Sequence, residues 1–549
     1  MGSEQEKKSK SMDSVRFKLS AEFWLRRPCH DRVAFLSIRK VVILKGKFVE
    51  IPWEKLFSLL DRQKTTEEIL QSLWPLSPEV VKSLLGELEK LEVVQKVEDA
   101  AIQMGETLHL SESALQVVDL EPNAEWPVSL PDRLKTLCNK SNGIVQRIER
   151  IEVEKSEPKI FQFRLKGFTN LRSRPYRFIA IGKGLREHEA VESGVGEAVE
   201  RYSVGVCEEE YFTRASFEQI KANALDPRVA INFTRDQYAT QDFPYVPFSE
   251  TQEYYWMSSE CVTQGRKVFI PAQFIFVPMP AKAEPILWKA NTSGCAAGLT
   301  NCFSILKALL EVIERDALML NWYSCRCCRK IEVEDGDCSL VNEALERIRS
   351  RGLNSWCFAL ETEFKVPVCL ALIVDYRSHR PLISVGCAAM KSWVDAIYKA
   401  VIEAIQVRTA LRSREKKERN LHDACDVRRS WDHAFYYYDH IGRLEAFRFL
   451  FESQSIKLKE LESPFEGYRD EAAIDRCIER VYAAGYDVYV VDLTPREIKE
   501  LGYHVVRVLV PGLIPLHFGH NTLPLGLTRL GGSLGEIEMS QLKWPHPFT

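Results

Sequence analysis

Three stretches of this chain, far apart, repeat one pattern. AVESGVGEAVER runs from Ala190 to Arg201, SILKALLEVIER from Ser304 to Arg315, and AIYKAVIEAIQV from Ala396 to Val407 with Arg408 next. Aligned on Glu197, Glu311 and Glu403, the copies place Ala190, Ser304 and Ala396 seven residues before and Gly194, Ala308 and Ala400 three before. Glu200, Glu314 and Gln406 stand three after, and an arginine follows each. On a helix these offsets share one stripe. Each copy therefore predicts a helix with a small face that permits close helix approach and carboxylates beyond it, projecting into a shared space. One Glu-x-x-Glu-Arg helix is an ordinary solvated face. Three with matched small residues are not. Two carboxylates at 4 Å repel by roughly 4 kcal/mol at an effective dielectric near 20. A hard divalent cation such as Mg²⁺, which takes oxygen ligands and keeps phosphates beside it, offsets that. The arginines suit phosphate oxygens or clamp the carboxylates.

The flanking loops agree. Gly182-Lys183-Gly184 precedes the first copy and NTSGCAAG, 291–298, the second. A lysine between glycines can approach a phosphate closely. It is not a P-loop, since Gly184 follows Lys183, and neither G-x-G-x-x-G nor H-E-x-x-H occurs. GGSLG at 531–535 matches a nucleophile elbow at Ser533, but the dozen or so residues after it hold His546 and no Asp, so it reads as a flexible turn.

Composition narrows the class. With 549 residues the chain has room for roughly three to four domain-sized units, or one large core and a small module. A net charge of −3 gives no global attraction for nucleic acid or anionic membrane. No apolar run approaches the roughly 18 residues of a membrane span. The opening MGSEQEKKSKSM is polar where a signal peptide would be apolar. A cytoplasmic protein is expected, and the odd count of 15 cysteines fits that compartment. Cys325, Cys327 and Cys328 lack a second C-x-x-C for a zinc site and read as half-buried free thiols.

Residues 1–20 read as an arm. Within 21–100, Val41–Leu44 and Phe48–Ile51 flank a Lys-Gly-Lys turn and predict a hairpin. A helix with Trp53, Leu56, Leu59 and Leu60 on one face follows. A second, capped by Ser77 and Pro78, carries Val81, Leu84 and Leu85, and 91–97 suits a closing strand. This is the pattern of a winged-helix module. Residues 101–130 read as a linker. From 131 to 549 helix and strand signals alternate, predicting one large α/β (α+β) domain with strands at 366–374, 381–385, 486–491 and 505–510 and helices near 188–204, 303–322, 393–412 and 470–484.

The ordered set GKG, SGVGEAVERYS, TSGCAAGLTNCFSILKALLEVIERDA, DAIYKAVIEAIQVR, VPGLIPLHFG and WPHPFT resembles the YcaO family over about residues 131–549. The resemblance implies ATP and Mg²⁺ as cofactors and phosphorylation of a peptide-backbone amide oxygen. By resemblance, Glu197, Glu200, Glu311 and Glu314 hold Mg²⁺, and Lys183, Ser193, Arg201, Arg315, Glu403, Gln406 and Arg408 line the nucleotide site. Azoline-forming members end in a Pro-x-Pro-x-Pro tail. Here the tail is Pro545, His546, Pro547, Phe548 and Thr549, with Thr549 in the last place. A stiff tail can deliver its terminal carboxylate as a base, so Pro545, Pro547 and Thr549 are the catalytic candidates. Lys307 departs from the neutral polar residue usual at its position.

The N-terminal module resembles the peptide-recognition element of such enzymes, which adds a leader peptide to a sheet edge; residues 39–51 would offer it. The expected activity is an ATP-dependent cyclodehydratase that converts Cys, Ser or Thr of a ribosomal precursor peptide to thiazoline or oxazoline. A separate activating partner, a downstream flavin oxidase and a homodimer fit the resemblance; nucleic acid and membrane do not enter. Thioamide or amidine formation, or a non-catalytic peptide-binding scaffold, are the alternatives.

Overall fold

The computed structural model describes residues 178–549 apart from 207–210, 279–283, 327, 335–337, 378–379, 415–420, 422, 496–497, 500, 531–537 and 539; before 178 it describes isolated strands and scattered residues. One strand of each of three β-sheets leads into one of the repeated helices, and the sheet packs against it. The first is the antiparallel meander Gln116–Val118, Val145–Ile151, Lys159–Leu165 and Ile179–Gly184 (β1). It feeds helix α1, Glu187–Gly205. The second runs Phe212–Ser216, Glu253–Cys261, Tyr489–Asp492, His504–Leu509 and Cys295–Gly298 (β2), and β2 feeds α2, Asn301–Ser324. The third runs Ile383–Ala389 (β3), Val368–Val374, Asn354–Ala359, Arg329–Glu332 and Ser455–Lys457, and β3 feeds α3, Trp393–Arg414.

The layers follow from strand alternation. Val368, Leu370, Leu372 and Val374 pack with α2, while Cys369, Ala371 and Ile373 pack with α3. In the second sheet Ala296, Val506 and Val508 face α2, and Cys295, Ala297 and Val505 join the core with α1. So α1 is sandwiched between the first and second sheets and α2 between the second and third. Leu185, just past β1, packs into the core of α3. Such doubly covered strands are buried throughout, as Val368–Val374 and Ile383–Ala389 are, the first of them apolar at every position.

Local chemistry sets the helix starts. Thr300 Oγ1 accepts from Phe303 N at 3.1 Å, and Ser392 Oγ accepts from Asp395 N at 3.1 Å. Cys325 ends α2 with a left-handed backbone, φ 46°. The strands and helices expected between 188 and 510 appear, within a few residues of their predicted bounds.

Three expectations change. The small positions serve strands, not helix–helix contact: a Cβ on Gly182 of β1 would collide with the backbone of Ala190 and Gly194, and one on Gly386 of β3 with that of Ala400 and Ala404. Val41–Lys45 pairs upstream with Arg32–Leu36, which pairs with Trp24–Cys29; residues 46–51, the other arm of the expected hairpin, lie outside the described residues. Val41–Lys45 is an edge of that sheet among the described residues. Phe17–Leu19 pairs with Val94–Lys96, so the arm ends before residue 17. Gln116–Val118 pairs with Val145–Ile151, so the segment read as a linker contributes a strand. Of the expected small helices, Leu56, Val81 and Leu85 are described and buried, as are Ile69 and Leu73 between them.

Candidate functional site

The carboxylate ends of α1, α2 and α3 meet. Glu197 accepts from Arg201 Nε at 2.7 Å on α1. Glu311 and Glu314 hold Arg315 between them at 3.2 and 2.8 Å on α2. Lys307 of α2 reaches Glu200 of α1 at 3.8 Å, and Lys183 of β1 reaches Glu403 of α3 at 3.1 Å. Glu314 Oε2 also accepts from the Ala389 backbone at the end of β3, at 2.9 Å. Thus all three strand–helix units contribute.

Burial dominates the electrostatics. It pushes Glu200 up to about 8, with Lys307 pulling the other way and Glu311 and Glu197 adding to the rise. It pushes Glu314 up to about 8 as well, against Arg315 and together with Glu403 and Glu311. These are carboxylates whose charged form lacks sufficient positive charge nearby. Gln406 Oε1 and Arg315 Nε are buried without a hydrogen-bond partner.

The donors are oxygen throughout: four carboxylates, Glu403 and the Gln406 amide. That set fits a hard divalent cation, and added positive charge there would relieve Glu200 and Glu314. As the side chains stand they form ion pairs; among the described residues no three His, Cys, Asp or Glu converge as one metal-holding group. Ser193 is half-buried on α1, one turn before Glu197.

Arg408 is not brought to this group. Five residues beyond Glu403 it turns about 140° around α3. Its guanidinium is 3% exposed and engages Asp375 at 2.9 Å and the Pro381 carbonyl. It ties α3 to the third sheet.

The C-terminal tail packs nearby, within the electrostatic reach of Arg315. Pro545 to Phe548 are buried and Thr549 is half-buried. Tyr437 Oη donates to the Pro545 carbonyl at 2.5 Å, His433 Nδ1 to the His546 carbonyl at 2.8 Å, and His546 Nε2 to the His517 carbonyl at 2.7 Å. The His433 and His546 rings stack with centroids 3.9 Å apart. Arg315 is close enough for its charge to bear on His546, after the larger effects of burial and the neighbouring histidines. Arg315 also lines a cleft of about 670 Å3 with Val312, Arg507, Pro511 and Ile514. The floor of that cleft is fixed by Asp316, which accepts from Ile514 N at 2.9 Å and pairs with Arg529 at 2.6 Å.

Several of these residues escaped the sequence. Lys399 stands four residues before Glu403, as Lys307 stands four before Glu311. Partial desolvation, then Lys183 and Lys307, lower its pKa, so three lysines from β1, α2 and α3 share one neighbourhood. Comparing offset −4 across the copies would have found it. His433 carries no local signal, and Asp316 and His517 lie inside quoted segments that gave them no role. Of the cysteine cluster, Cys328 is buried, burial pushes the Cys325 thiol up to about 11, and Cys327 lies outside the described residues. Burial likewise pushes Cys295 up to about 12. Ser533 lies outside the described residues.

A family model described as YcaO cyclodehydratase, ATP- and Mg²⁺-binding, matches residues 181–514. An uncharacterised protein of Methanothermobacter thermautotrophicus is 29% identical over 347 residues, which cover 61% of this chain and 81% of that one. The fold is similar to that of a heterocyclase in complex with substrate and cofactor, with TM-score 0.61 and 15% identity, covering 97% of this chain and 100% of the other. It is also similar to YcaO from Methanopyrus kandleri bound with AMPPCP and Mg²⁺, with TM-score 0.51 and 20% identity over 69% of this chain and 89% of that chain. No helix among the described residues is long and apolar enough to cross a membrane.

Proposed function

Because the chain belongs to the YcaO family, we propose that it is an ATP- and Mg²⁺-dependent cyclodehydratase acting on Cys, Ser or Thr of a ribosomal precursor peptide. The observation that carries this reading is the meeting of Glu197, Glu200, Glu311, Glu314 and Glu403 with Lys183 and Lys307, beside an Arg315 that the C-terminal tail approaches.

The four carboxylates of α1 and α2 would hold Mg²⁺, and Lys183, Ser193, Arg201, Arg315, Glu403 and Gln406 would line the nucleotide site. Bound Mg-ATP supplies the phosphoryl group that makes the amide oxygen of the peptide a leaving group. The chain's residues supply positioning and charge. Arg315 spans the carboxylates, the cleft and the tail, so it faces the place where oxyanion charge develops. Its unpartnered Nε–H is available to that charge. The cleft beside it accommodates the peptide segment that bears the reacting residue. With Pro545, His546 and Phe548 held by fixed contacts, Thr549 would stand beside this site, and its terminal carboxylate would take the proton from the attacking side chain. The strand Val41–Lys45, an edge among the described residues, suits leader capture by strand addition. We also place the enzyme in the cytoplasm as a homodimer, with a separate activating partner and a later oxidase as its company.

The test is a mass measurement. The protein is incubated with Mg-ATP and a Cys/Ser/Thr-rich precursor carrying its leader. Loss of one water per modified residue, dependent on ATP, supports azoline formation. A mass change of oxygen for sulfur, seen only with added sulfide, would replace it by thioamide formation.

A further inference from the structure

Arg507 lies on the strand His504–Leu509 and lines the same cleft as Arg315. It is 4% exposed. A guanidinium so buried is ordinarily paired with a carboxylate. Among the described residues Arg507 has only neutral partners. Its Nη1 donates to the carbonyls of Ile275 and Asn291, both at 2.9 Å, and to Cys295 Sγ at 3.5 Å. Its Nε is buried without an acceptor, and its Nη2 makes no hydrogen bond among the described residues. Nε and Nη2 form one edge of the guanidinium, and that edge grips a carboxylate through two parallel N–H···O bonds. Glu200 and Glu311 bear on the neighbouring Cys295 through space, but they are held by Lys307 and Arg315 and do not pair with Arg507.

The walls of the cleft are largely apolar, with Leu225, Phe274, Trp288, Val312 and Leu513 among them. A buried charge among such walls favours a ligand that brings the opposite charge on an apolar body.

We infer that Arg507 is a specificity residue, whose Nε–Nη2 edge binds the side-chain carboxylate of an Asp or Glu that stands, with apolar neighbours, close to the reacting residue of the peptide. This rests on the peptide reading of the cleft above and adds to it the kind of peptide that is taken. A chain-end carboxylate would serve only the last residue of a peptide. A side chain serves a reacting residue anywhere along it, so the occupant is a side chain.

Isothermal titration of the full chain tests this, first with Mg-AMPPNP and then, with Mg-AMPPNP present, with four probes. They are acetyl-Phe-Glu-Phe amide, acetyl-Phe-Gln-Phe amide, acetyl-Phe-Phe with a free carboxyl end, and inorganic phosphate. The wild type should bind the Glu peptide roughly ten- to a hundredfold more tightly than the Gln peptide, the range set by charge-assisted hydrogen bonds. Arg507→Gln should bind the two alike, and Arg507→Lys, which keeps the charge and loses the fork, should fall between. The two peptides are compared on the wild type as well, so the test stands even where a variant fails to fold. Equal binding of the two by the wild type, binding of neither, or a preference that survives in Arg507→Gln would overturn the carboxylate site. AMPPNP bound in the first titration would then leave the ATP reading standing, whereas AMPPNP unbound removes that reading separately. Tighter binding of the free-ended peptide than of the Glu peptide would overturn the side chain in favour of a chain end. Inorganic phosphate bound as tightly as the Glu peptide would overturn the peptide acid in favour of a phosphate site.

Discussion

Lys183 and Glu403 lie 220 residues apart in the chain, and their side chains meet at 3.1 Å. The contact joins the strand before the first repeated helix to the third helix, and it closes the round of three strand–helix units on the site. Both groups are about a quarter exposed or more, at 24% and 30%. A pair so placed adds little stability, on the order of 1 kcal/mol or less. Its worth is in position. Lys183→Met should leave the melting temperature nearly unchanged and weaken Mg-AMPPNP binding about tenfold or more, read by isothermal titration. Unaltered affinity would remove Lys183 from the site.

Glu197 and Glu314 occupy the two ends of the carboxylate group, and their burial separates what each mutation does. The Glu197 side chain is 27% exposed and pairs with Arg201 within one turn. That of Glu314 is 9% exposed and holds both Arg315 and the Ala389 backbone. Removing one partner of a buried pair costs about 3–5 kcal/mol because a charge is stranded. Glu197→Ala should therefore abolish Mg²⁺-dependent ATP turnover with little loss of stability. Glu314→Ala should abolish turnover and lower the melting temperature moderately, by less than that range implies, because Arg315 keeps Glu311 as a partner. Full turnover in Glu197→Ala would sink the metal assignment.

The three stripes were legible because the chemistry repeats: small, small, carboxylate, carboxylate or amide can be read in one dimension. What the small residues pack against was not legible. That depends on Gly182 and Gly386, which lie in strands outside the repeat and accept a helix backbone at close range. Arg408 shows the limit of the same reasoning. It follows its glutamate as the other arginines follow theirs, but one residue further on, and that extra step turns it from the site into a buried pair with Asp375. The tail's anchors are the opposite case. His433, Tyr437 and His517 have no pattern of their own, and only the folded chain sets them around Pro545 and His546.

The histidines around the tail give the chain an acid limb. Burial pushes His433 and His517 down to about 3 from an ordinary 6.5, and pushes His546 down as well, each then lowered further by neighbouring histidines. The unfolded chain thus binds more protons than the folded one between about pH 3 and 6.5. Stability is fully present above 6.5 and falls with the pH below it, by up to about 1.4 kcal/mol per unit for each histidine. Melting curves from pH 7.5 to 5 should show the decline, and carboxypeptidase should release Thr549 and Phe548 faster at pH 5. His433→Asn, which keeps a donor near the Nδ1 position but does not titrate, should flatten the limb. An equal slope in the variant would show that His433 is already protonated or exposed when folded.

The last test asks whether Arg408 belongs to the fold or to the chemistry. Its guanidinium is 3% exposed and its partner Asp375 1%, and the Pro381 carbonyl accepts from it too. Asp375 also takes Arg377 at 3.2 Å. Arg408→Met leaves Asp375 with that second partner, so the loss should fall toward the lower end of the 3–5 kcal/mol expected for a broken buried pair. Asp375→Asn leaves Arg408 buried with carbonyl and amide acceptors alone, and should cost more. If Arg408 acts through the fold, both variants lower the melting temperature, and whatever protein remains folded at low temperature binds Mg-AMPPNP with the wild-type constant. A variant Arg408→Met that melts like the wild type but has lost nucleotide binding would instead return this arginine to the nucleotide site, and would mean that the side chain swings round α3 when the nucleotide arrives.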